Sequence, residues 1–333
     1  MQINNKPSYY LVSLSNKENL DLCIKYNLAG FTNSINGVWT YLEINEGDYI
    51  SFLYGAKVYN LYQVLKKVAL KNAENLPPWP QIRFKESGKM YYFPFRLYLK
   101  PIRKLEESLV RVEFAYVAEN LLLRGGYRKT HFQADQTTLQ NVSQMGNVWN
   151  ENFNNLSNEQ FRNNIFEPKF TRVRTQVKIP EIFYFQEIIL QTLVKYYLIN
   201  NLNKFFEELF LLKSPILNEL DELEILSEKA LPEGHIDLLI KEAVPIGQAR
   251  KIVIEVKNQK AKMQHLEQLD YYLNEFKDEC ICGILIASDF SKKIIKAVQN
   301  KNIKLVKWSI NIDLTSPYSF NEILKNFKLE VLQ

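Results

Sequence analysis

The segment at residues 251–257, KIVIEVK, constrains the fold of this chain more than any other. Its apolar residues predict a strand that is covered on both faces, as in the sheets of α/β proteins. Glu255 and Lys257 interrupt the run, and because they are two positions apart their side chains share one face, while Val256 points to the other. A buried acid and a buried lysine are unfavourable unless they are paired or bind a metal. The strand therefore predicts a functional site.

A second acid is expected beside this strand. Asp237 lies in the apolar run at residues 235–240, which predicts another strand, and a turn at residues 245–247 would pair the two. Asp237 and Glu255 would then converge at one edge of a sheet. Two carboxylates form a hard-oxygen site that suits Mg²⁺ or Mn²⁺ rather than zinc. The alternative is a solvated strand face on which the acid and the lysine form an ordinary cross-strand ion pair.

The residues around this strand alternate between helix-like and strand-like patterns. Amphipathic spacing predicts helices at residues 180–200, 263–276 and 294–298. Apolar runs predict further strands at residues 223–226, 283–287 and 303–308. Strands flanked by helices predict an α/β domain with a mixed sheet in this half of the chain.

The first half of the chain has a different pattern. Aromatic and β-branched runs bounded by Gly, Asn and Pro predict strands at residues 9–14, 49–54, 59–64, 91–99 and 110–114, with a helix at 19–27. Several short strands with few helices indicate a small β-barrel. Residues 147–164 contain eight asparagines, which disfavour the interiors of helices and strands. We therefore expect three segments: a domain at 1–145, an Asn-rich linker at 146–165 and a second domain at 166–333.

The acids and the lysine form part of a recognisable ordered set. G-x-x-D at residues 234–237 and E-x-K at 255–257 resemble the PD-(D/E)xK nuclease superfamily, in particular its RecB-like branch. Gln268 and Tyr272 resemble the QxxxY helix that follows the E-x-K strand in that branch, and Glu187 resembles its first-helix glutamate. The resemblance covers about residues 180–310. It implies a restriction-endonuclease-like α/β domain with a mixed sheet flanked by helices.

The same resemblance implies a reaction and a set of roles. The reaction is Mg²⁺-dependent hydrolysis of a phosphodiester, in which Mn²⁺ can substitute. Asp237, Glu255 and Glu187 would hold the metal, and Lys257 would position the attacking water. Gln268 and Tyr272 would orient DNA at the catalytic site, although residues one helical turn apart are equally consistent with a plain helix surface.

A weaker resemblance concerns the first domain. Trp39, the Gly47-Asp48 turn and the strand FLY at residues 52–54 are followed by a second strand and then by Trp79. This order resembles the EVE/YTH-like branch of PUA-type barrels. The resemblance implies a PUA-like module that flips a modified base out of DNA and stacks it between aromatic walls. The candidate base-binding residues are Trp39, Phe52, Tyr54 and Trp79, and the alternative is that they are core aromatics of the barrel.

Charge is unevenly distributed along the chain. Residues 1–145 contain 18 Lys and Arg against 12 Asp and Glu, a net charge of +6, whereas the remainder contains 24 against 25. The basic candidates for phosphate contacts are Arg83, Lys85, Arg124, Arg128 and Lys129, with Lys89, Arg96 and Arg103 as further members. For any one of them, a solvated surface charge is the commoner explanation.

Together these patterns predict a modification-dependent restriction endonuclease that acts on double-stranded DNA carrying a modified base. Because one active site cuts one strand, we expect a homodimer. One alternative is a type II-like or repair nuclease that reads ordinary sequence or DNA structure. Another is a DNA- or RNA-binding module that does not cleave.

Other sequence features predict the cellular compartment of the protein and whether it needs a nucleotide cofactor. Three cysteines cannot build a disulfide framework, and the chain has neither a run of 18 apolar residues nor the apolar core of a signal peptide at its start. We therefore expect a reduced, cytoplasmic protein that does not enter a membrane. No glycine-rich phosphate-binding loop is visible, so no nucleotide cofactor is expected.

Overall fold

The computed structural model describes residues 2–3, 7–55, 57–83, 88–105, 130–153, 164–210, 222–231, 234–243 and 247–332. The chain divides into two compact units. The N-terminal unit comprises Pro7–Lys169 and Arg174–Tyr184, and the C-terminal unit comprises Met1–Lys6, Phe170–Val173 and Phe185–Gln333. The division therefore lies after the Asn-rich segment in which the sequence places the linker.

The described elements alternate along the chain. The strands are β1 (Gln2–Ile3), β2 (Tyr9–Ser13), β3 (Leu28–Phe31), β4 (Tyr49–Tyr54), β5 (Lys57–Ala69), β6 (Ile82–Arg83), β7 (Met90–Tyr91), β8 (Phe95–Lys104), β9 (His131–Ala134), β10 (Asn147–Val148), β11 (Lys169–Thr171), β12 (Ile182–Tyr184), β13 (Glu222–Leu231), β14 (Gly234–Glu242), β15 (Lys251–Val256), β16 (Cys280–Ala287), β17 (Ile303–Ile310), β18 (Tyr318–Ser319) and β19 (Phe327–Leu332). The helices are α1 (Lys17–Tyr26), α2 (Ile35–Glu43), α3 (Gln136–Ser143), α4 (Glu187–Phe210), α5 (Met263–Phe276), α6 (Lys292–Ala297) and α7 (Phe320–Lys325).

The N-terminal unit is built on one sheet with the order β10-β8-β5-β4-β2-β9, to which β3 adds by pairing with β8. β2 and β4 are parallel, and the other pairs are antiparallel. Asn16 and Ser34 cap the starts of α1 and α2 by accepting hydrogen bonds from backbone N–H groups three residues on. These pairings show a mixed α/β unit but do not show the closed PUA-like barrel that the sequence predicts.

The C-terminal unit is built on a second sheet with the order β1-β13-β14-β15-β16-β17-β19. The centre is parallel, because β16 pairs in parallel with both β15 and β17, while β14 and β19 run antiparallel to their neighbours. Apolar side chains from these strands pack against α5 in a continuous core that includes Val253, Leu285, Leu266, Leu269 and Tyr272. This is the mixed sheet with helices that the sequence predicts.

The long helix α4 differs from its predicted bounds. Residues 182–184, IFY, form the strand β12, and the helix starts only at Glu187 and extends to Phe210, with a kink at Asn201, whose φ of −133° is not helical. Aromatic and β-branched residues favour a strand there, and this preference outweighs the helical spacing of the apolar residues. The start of the helix matters for the site because it puts Glu187 in the first helical turn.

In the described part of the chain, no helix is both long enough and apolar enough to cross a bilayer.

Candidate active site

The two predicted acids converge on neighbouring strands. β14 and β15 are antiparallel, with Leu238 opposite Ile254. This register puts Asp237, which precedes Leu238, beside Glu255, which follows Ile254. The register is what brings the two acids together, because a slip by one residue would turn Glu255 to the opposite face of the sheet from Asp237.

The ammonium group of Lys257 lies among three carboxylates. Its Nζ is 2.8 Å from Oε1 of Glu255, 3.2 Å from Oε1 of Glu187 and 3.8 Å from Oδ2 of Asp237. Residues from β14, from the end of β15 and from the start of α4 therefore meet around one nitrogen atom. The structure brings together all three predicted metal ligands and the predicted water-positioning lysine.

Backbone groups hold this cluster in place. The Val256 N–H donates to Oδ2 of Asp237 at 2.8 Å, and the Asn258 N–H donates to Oε2 of Glu187 at 3.0 Å. The indole N–H of Trp308 in β17 donates to the carbonyl oxygen of Lys257 at 2.9 Å. The chain that carries the lysine is thus fixed on both sides of that residue. Trp308 is not predicted from the sequence, since it lies 51 positions away and nothing local marks it.

The electrostatics of the cluster are unusual at Glu255. This side chain is fully buried, and burial, reinforced by the charge of Asp237, raises its pKa to about 8 in spite of the nearby Lys257. Burial by itself would lower the pKa of Lys257, but the charges of Asp237 and Glu255 outweigh it and raise that pKa above its ordinary value. The lysine is therefore a cation at neutral pH. It can donate hydrogen bonds but is not a general base.

The carboxylate of Glu255 is a candidate metal ligand. Both of its oxygens are buried and neither accepts a hydrogen bond of good geometry, although the Lys257 ammonium lies 2.8 Å from Oε1. A single ammonium leaves most of the acceptor sites of a buried carboxylate unused, and a divalent cation would satisfy them. Mg²⁺ needs only one or two carboxylates because it retains several waters. The pair Asp237 and Glu255 therefore fits Mg²⁺.

The third predicted ligand, Glu187, has a different surrounding. Its two oxygens contact the Lys257 ammonium and the Asn258 N–H. Among the described residues, no group of three or more His, Cys, Asp or Glu side chains is arranged to hold a metal ion. In this conformation Glu187 orients the lysine and the adjoining backbone. Its role as a metal ligand stays a prediction.

Gln268 and Tyr272 contact the strand that carries Asp237. The Tyr272 hydroxyl donates to the carbonyl oxygen of His235 at 3.1 Å and accepts from Nε2 of Gln268 at 2.9 Å. Tyr272 is buried, and a methyl group added at Gly234 would lie 2.5 Å from its hydroxyl oxygen. The glycine of G-x-x-D is therefore the point at which this tyrosine packs on β14. That the two residues orient DNA stays a prediction.

The four predicted base-binding residues lie in the N-terminal unit, and three of them are buried. Trp39 packs against His131 with ring centroids 4.2 Å apart, Phe52 packs against Tyr62 at 5.3 Å, and Trp79 packs against Phe93 at 5.3 Å. Tyr54 is half-buried at the end of β4. Each of the three buried rings has a different ring neighbour. In this conformation, burial favours a core role for Trp39, Phe52 and Trp79.

The predicted phosphate contacts are only partly described. Arg83 is exposed on β6, whereas Lys85, Arg124, Arg128 and Lys129 lie outside the described residues. Of the further candidates, Lys89 is exposed and Arg103 is half-buried.

For Arg96 the phosphate prediction is wrong. Its side chain is buried, donates to the carbonyl oxygens of Phe93, Pro77 and Leu76, and packs over the Trp79 ring. A guanidinium whose donors are bound to backbone carbonyls cannot reach DNA. It stabilises the loop that contains Leu76 and Pro77 instead.

Comparison with known proteins gives one family match. Residues 209–323, less than half of the chain, match the family described as Endonuclease NucS C-terminal domain. No curated protein matches the chain.

Three solved structures are similar over parts of the chain. The EndoMS–dsDNA2 complex is 20% identical with a TM-score of 0.21, over 32% of this chain and 42% of that one. A repair endonuclease from Pyrococcus abyssi is 18% identical with a TM-score of 0.22, over 34% and 46%. The DNA modification-dependent restriction endonuclease AspBHI is 12% identical with a TM-score of 0.19, over 83% and 62%. The matches span less than two thirds of each of these proteins. The C-terminal part of the present chain is thus similar, over residues 209–323, to an endonuclease domain.

Proposed function

We propose that this chain is a divalent-metal-dependent DNA endonuclease of the PD-(D/E)xK type. The observation that carries the proposal is the buried carboxylate of Glu255, whose oxygens accept no hydrogen bond of good geometry, beside Asp237 and the Lys257 ammonium. An acid pair with an adjacent cation, in which a backbone N–H group holds Asp237 in place, is suited to hydrolysis of a phosphodiester. The family match at residues 209–323 independently supports an endonuclease.

The roles of the residues follow from their contacts. Mg²⁺ held by Asp237 and Glu255 would lower the pKa of a bound water and neutralise charge on the scissile phosphate. Lys257, which is cationic at neutral pH, positions the attacking water through its N–H donors and stabilises negative charge on the phosphate. Glu187 keeps that ammonium in place. Lys257 already carries its proton and cannot accept another, so the proton of the attacking water would pass to solvent.

Single substitutions test this assignment. Asp237→Asn, Glu255→Gln and Lys257→Ala should each lower cleavage of plasmid DNA at least ~100-fold, since each removes a metal ligand or the water-positioning cation. DNA binding, measured in Ca²⁺, should change far less. Lys260→Ala is the matched control, because Lys260 is exposed and pairs with Asp289 rather than with a carboxylate of the cluster. Wild-type turnover by Lys257→Ala would overturn the proposal.

The cofactor is tested with the same plasmid. Cleavage should require Mg²⁺, be supported by Mn²⁺ and stop in EDTA. It should proceed without ATP, and an absolute requirement for a nucleoside triphosphate would contradict the proposed mechanism.

For the N-terminal unit we propose recognition of a modified base in double-stranded DNA. The net charge of +6 over residues 1–145 and the number of aromatic residues there support this role. A groove of about 430 Å³, lined by residues 74–81, includes Trp79 and offers space beside it. Burial of a methyl group contributes only about 0.8 kcal/mol, so discrimination would require a pocket in which the unmodified base leaves a gap or an unpaired polar group.

A repair nuclease is the second candidate, and the family match is the observation that favours it. One set of substrates separates the two candidates. Duplexes carrying 5-methylcytosine, 5-hydroxymethylcytosine or 6-methyladenine are compared with an unmodified duplex, and in parallel with duplexes that carry a mismatch, a gap or a branch. Preference for a modified base supports the restriction role, whereas preference for altered DNA structure supports repair. Tight binding without cleavage of any of these substrates would favour the non-cleaving module.

A further inference from the structure

Arg172 carries an exposed positive charge beside the candidate active site. Its guanidinium carbon is 5.4 Å from the ring centroid of Trp308 and 5.5 Å from that of Phe185, so the group is held against two aromatic rings. All three residues belong to the C-terminal unit. No role for Arg172 is predicted from the sequence, because it lies outside the segment on which the nuclease resemblance rests.

The two rings tie this arginine to the backbone that carries the catalytic cluster. The indole of Trp308 donates its N–H to the carbonyl oxygen of Lys257 at 2.9 Å. Phe185 is two residues before Glu187, and its backbone N–H donates to the carbonyl oxygen of Thr171 at 2.8 Å. Arg172 itself donates its backbone N–H to the carbonyl oxygen of Leu314 at 2.8 Å. The guanidinium is thus anchored at the end of the sheet where Lys257 and Glu187 meet.

Among the described residues, no carboxylate neutralises the charge of this guanidinium. Within the described residues, no Asp or Glu oxygen lies within 4.0 Å of it, whereas Lys257, Lys260 and Arg250 in the same unit all have acidic partners. The side chain is exposed, so its N–H donors face solvent. Ring contacts restrict the orientation of a guanidinium without occupying its in-plane donors. An oriented, unneutralised fork of donors is suited to two oxygens of a single phosphate.

We propose that Arg172 binds a phosphate of the DNA strand that is cleaved, close to the scissile group. The inference rests on the proposed endonuclease function and adds a residue to its DNA-binding surface. Phosphate contacts fix the register of a duplex on a protein without reading its sequence. Arg172 therefore positions the strand relative to Asp237, Glu255 and Lys257, and it acts equally on modified and unmodified DNA.

Three variants test the proposal. Arg172→Gln retains a planar amide that can lie against the rings but loses the charge, and Arg172→Lys retains the charge but loses the planar fork. Arg174→Gln is the matched control: Arg174 is also exposed and lies over an aromatic ring, with its guanidinium carbon 5.6 Å from the Tyr184 centroid, but it belongs to the N-terminal unit. Equal Tm values for all proteins show that the fold is intact.

Two measurements are made on each protein. The first is Kd for an uncleaved duplex in Ca²⁺ over a range of salt concentrations, and the second is kcat/KM for cleavage in Mg²⁺. Arg172→Gln should weaken binding about tenfold, lower kcat/KM by at least as much, and reduce the slope of log Kd against log salt by about one. Arg172→Lys should retain the wild-type salt slope but recover only part of kcat/KM. Arg174→Gln should behave like the wild type.

The outcomes separate this inference from the proposed function. An unchanged salt slope in Arg172→Gln, or an equal loss in Arg174→Gln, overturns the role of Arg172 whether or not the protein cleaves. If the wild type binds but does not cleave any duplex, the endonuclease proposal fails, and the binding measurements still decide the phosphate contact.

Discussion

Among single residues, Glu255 shows how the fold gives a simple acid an unusual property. The residue is fully buried and lies beside a second acid, so its pKa is raised from the ordinary 4.5 to about 8. Between about pH 4.5 and about pH 8, the Glu255 carboxyl group therefore keeps its proton in the folded, metal-free protein, whereas the same group in the unfolded chain has released it. A raised pKa contributes stability that is complete below about pH 4.5 and is lost as the pH rises through about 8.

This shift predicts a pH-dependent stability in the metal-free protein. Without divalent ions, Tm should fall as the pH rises from about 5 to about 9, and Glu255→Gln should remove part of the fall. At the upper end of this range the variant should be more stable than the wild type by about 1 kcal/mol or more, which corresponds to roughly 2–4 °C. Glu279→Gln is the control, since Glu279 is paired with Lys251 and its pKa is lowered, so its titration is complete below this range. Parallel curves for the wild type and Glu255→Gln would contradict the assignment.

A second residue-scale prediction concerns Gly234 and Tyr272. A methyl group at Gly234 would clash with the Tyr272 hydroxyl at 2.5 Å, whereas the nearest ring carbon would be at 3.5 Å, an ordinary contact. Gly234→Ala should therefore destabilise the protein by about 1–3 kcal/mol, and Tyr272→Phe by about 1 kcal/mol. In the double variant the clash is absent, so the loss in its free energy of unfolding should be smaller than the sum of the losses in the two single variants.

Denaturant unfolding of the wild type, the two single variants and the double variant measures this coupling. Tyr271→Phe supplies the control pair, because Tyr271 is exposed and its hydroxyl bonds to Glu275. Gly234→Ala combined with Tyr271→Phe should be additive. Additivity of Gly234→Ala with Tyr272→Phe would show that the hydroxyl does not limit position 234.

Among the structural elements, β8 carries Arg96, which organises the loop at residues 76–80. Its guanidinium donates to three backbone carbonyls, two of which belong to that loop, and it lies over the ring of Trp79. The loop has little regular secondary structure to satisfy its carbonyl groups, so the arginine replaces a strand partner. Leu76 and Pro77, which accept two of these hydrogen bonds, line the groove at residues 74–81.

Removal of the guanidinium should destabilise the N-terminal unit. Arg96→Met keeps an apolar stem of similar length but leaves three carbonyls without donors, one in a buried and two in partly buried hydrogen bonds, which should lower the free energy of unfolding by about 2–4 kcal/mol. Arg103→Met is the matched control on the same strand, because Arg103 makes a single exposed hydrogen bond to Gly146. Denaturant unfolding followed by tryptophan fluorescence measures both, and equal effects would show that Arg96 has no special structural role.

In the molecule as a whole, the described residues contain one candidate catalytic cluster. One cluster cleaves one strand, so cutting a duplex through both strands requires two copies. With supercoiled plasmid, we expect nicked circles to accumulate at low protein concentration and linear DNA to dominate at high concentration. The rate of linearisation should rise more steeply than first order in protein. Linear product without a nicked intermediate at every concentration would indicate a dimer that is already assembled.

Much of the C-terminal unit is predictable from sequence because its signals are local. The buried strand β15, the neighbouring β14 and the helix α5 have apolar patterns that specify their type and nearly their ends, and the motif residues lie within or next to them. In the N-terminal unit, aromatic and β-branched residues predict the strands β2, β4 and β5. The helix α2, which carries Trp39, is not predicted, although Ser34, which caps it, is a residue type that favours helix starts.

Glu255 and Lys257 share a strand face because side chains alternate along any β-strand, and this relation can be read from the amino-acid sequence alone. The groups that surround them come from distant parts of the chain and depend on tertiary packing. Glu187 contacts the ammonium group of Lys257, Trp308 donates a hydrogen bond to the carbonyl oxygen of Lys257, and Arg172 packs against Trp308. Packing also turns Arg96 inward and buries Trp39. Contacts between residues far apart in the chain follow from how elements pack against one another, and no local pattern records them.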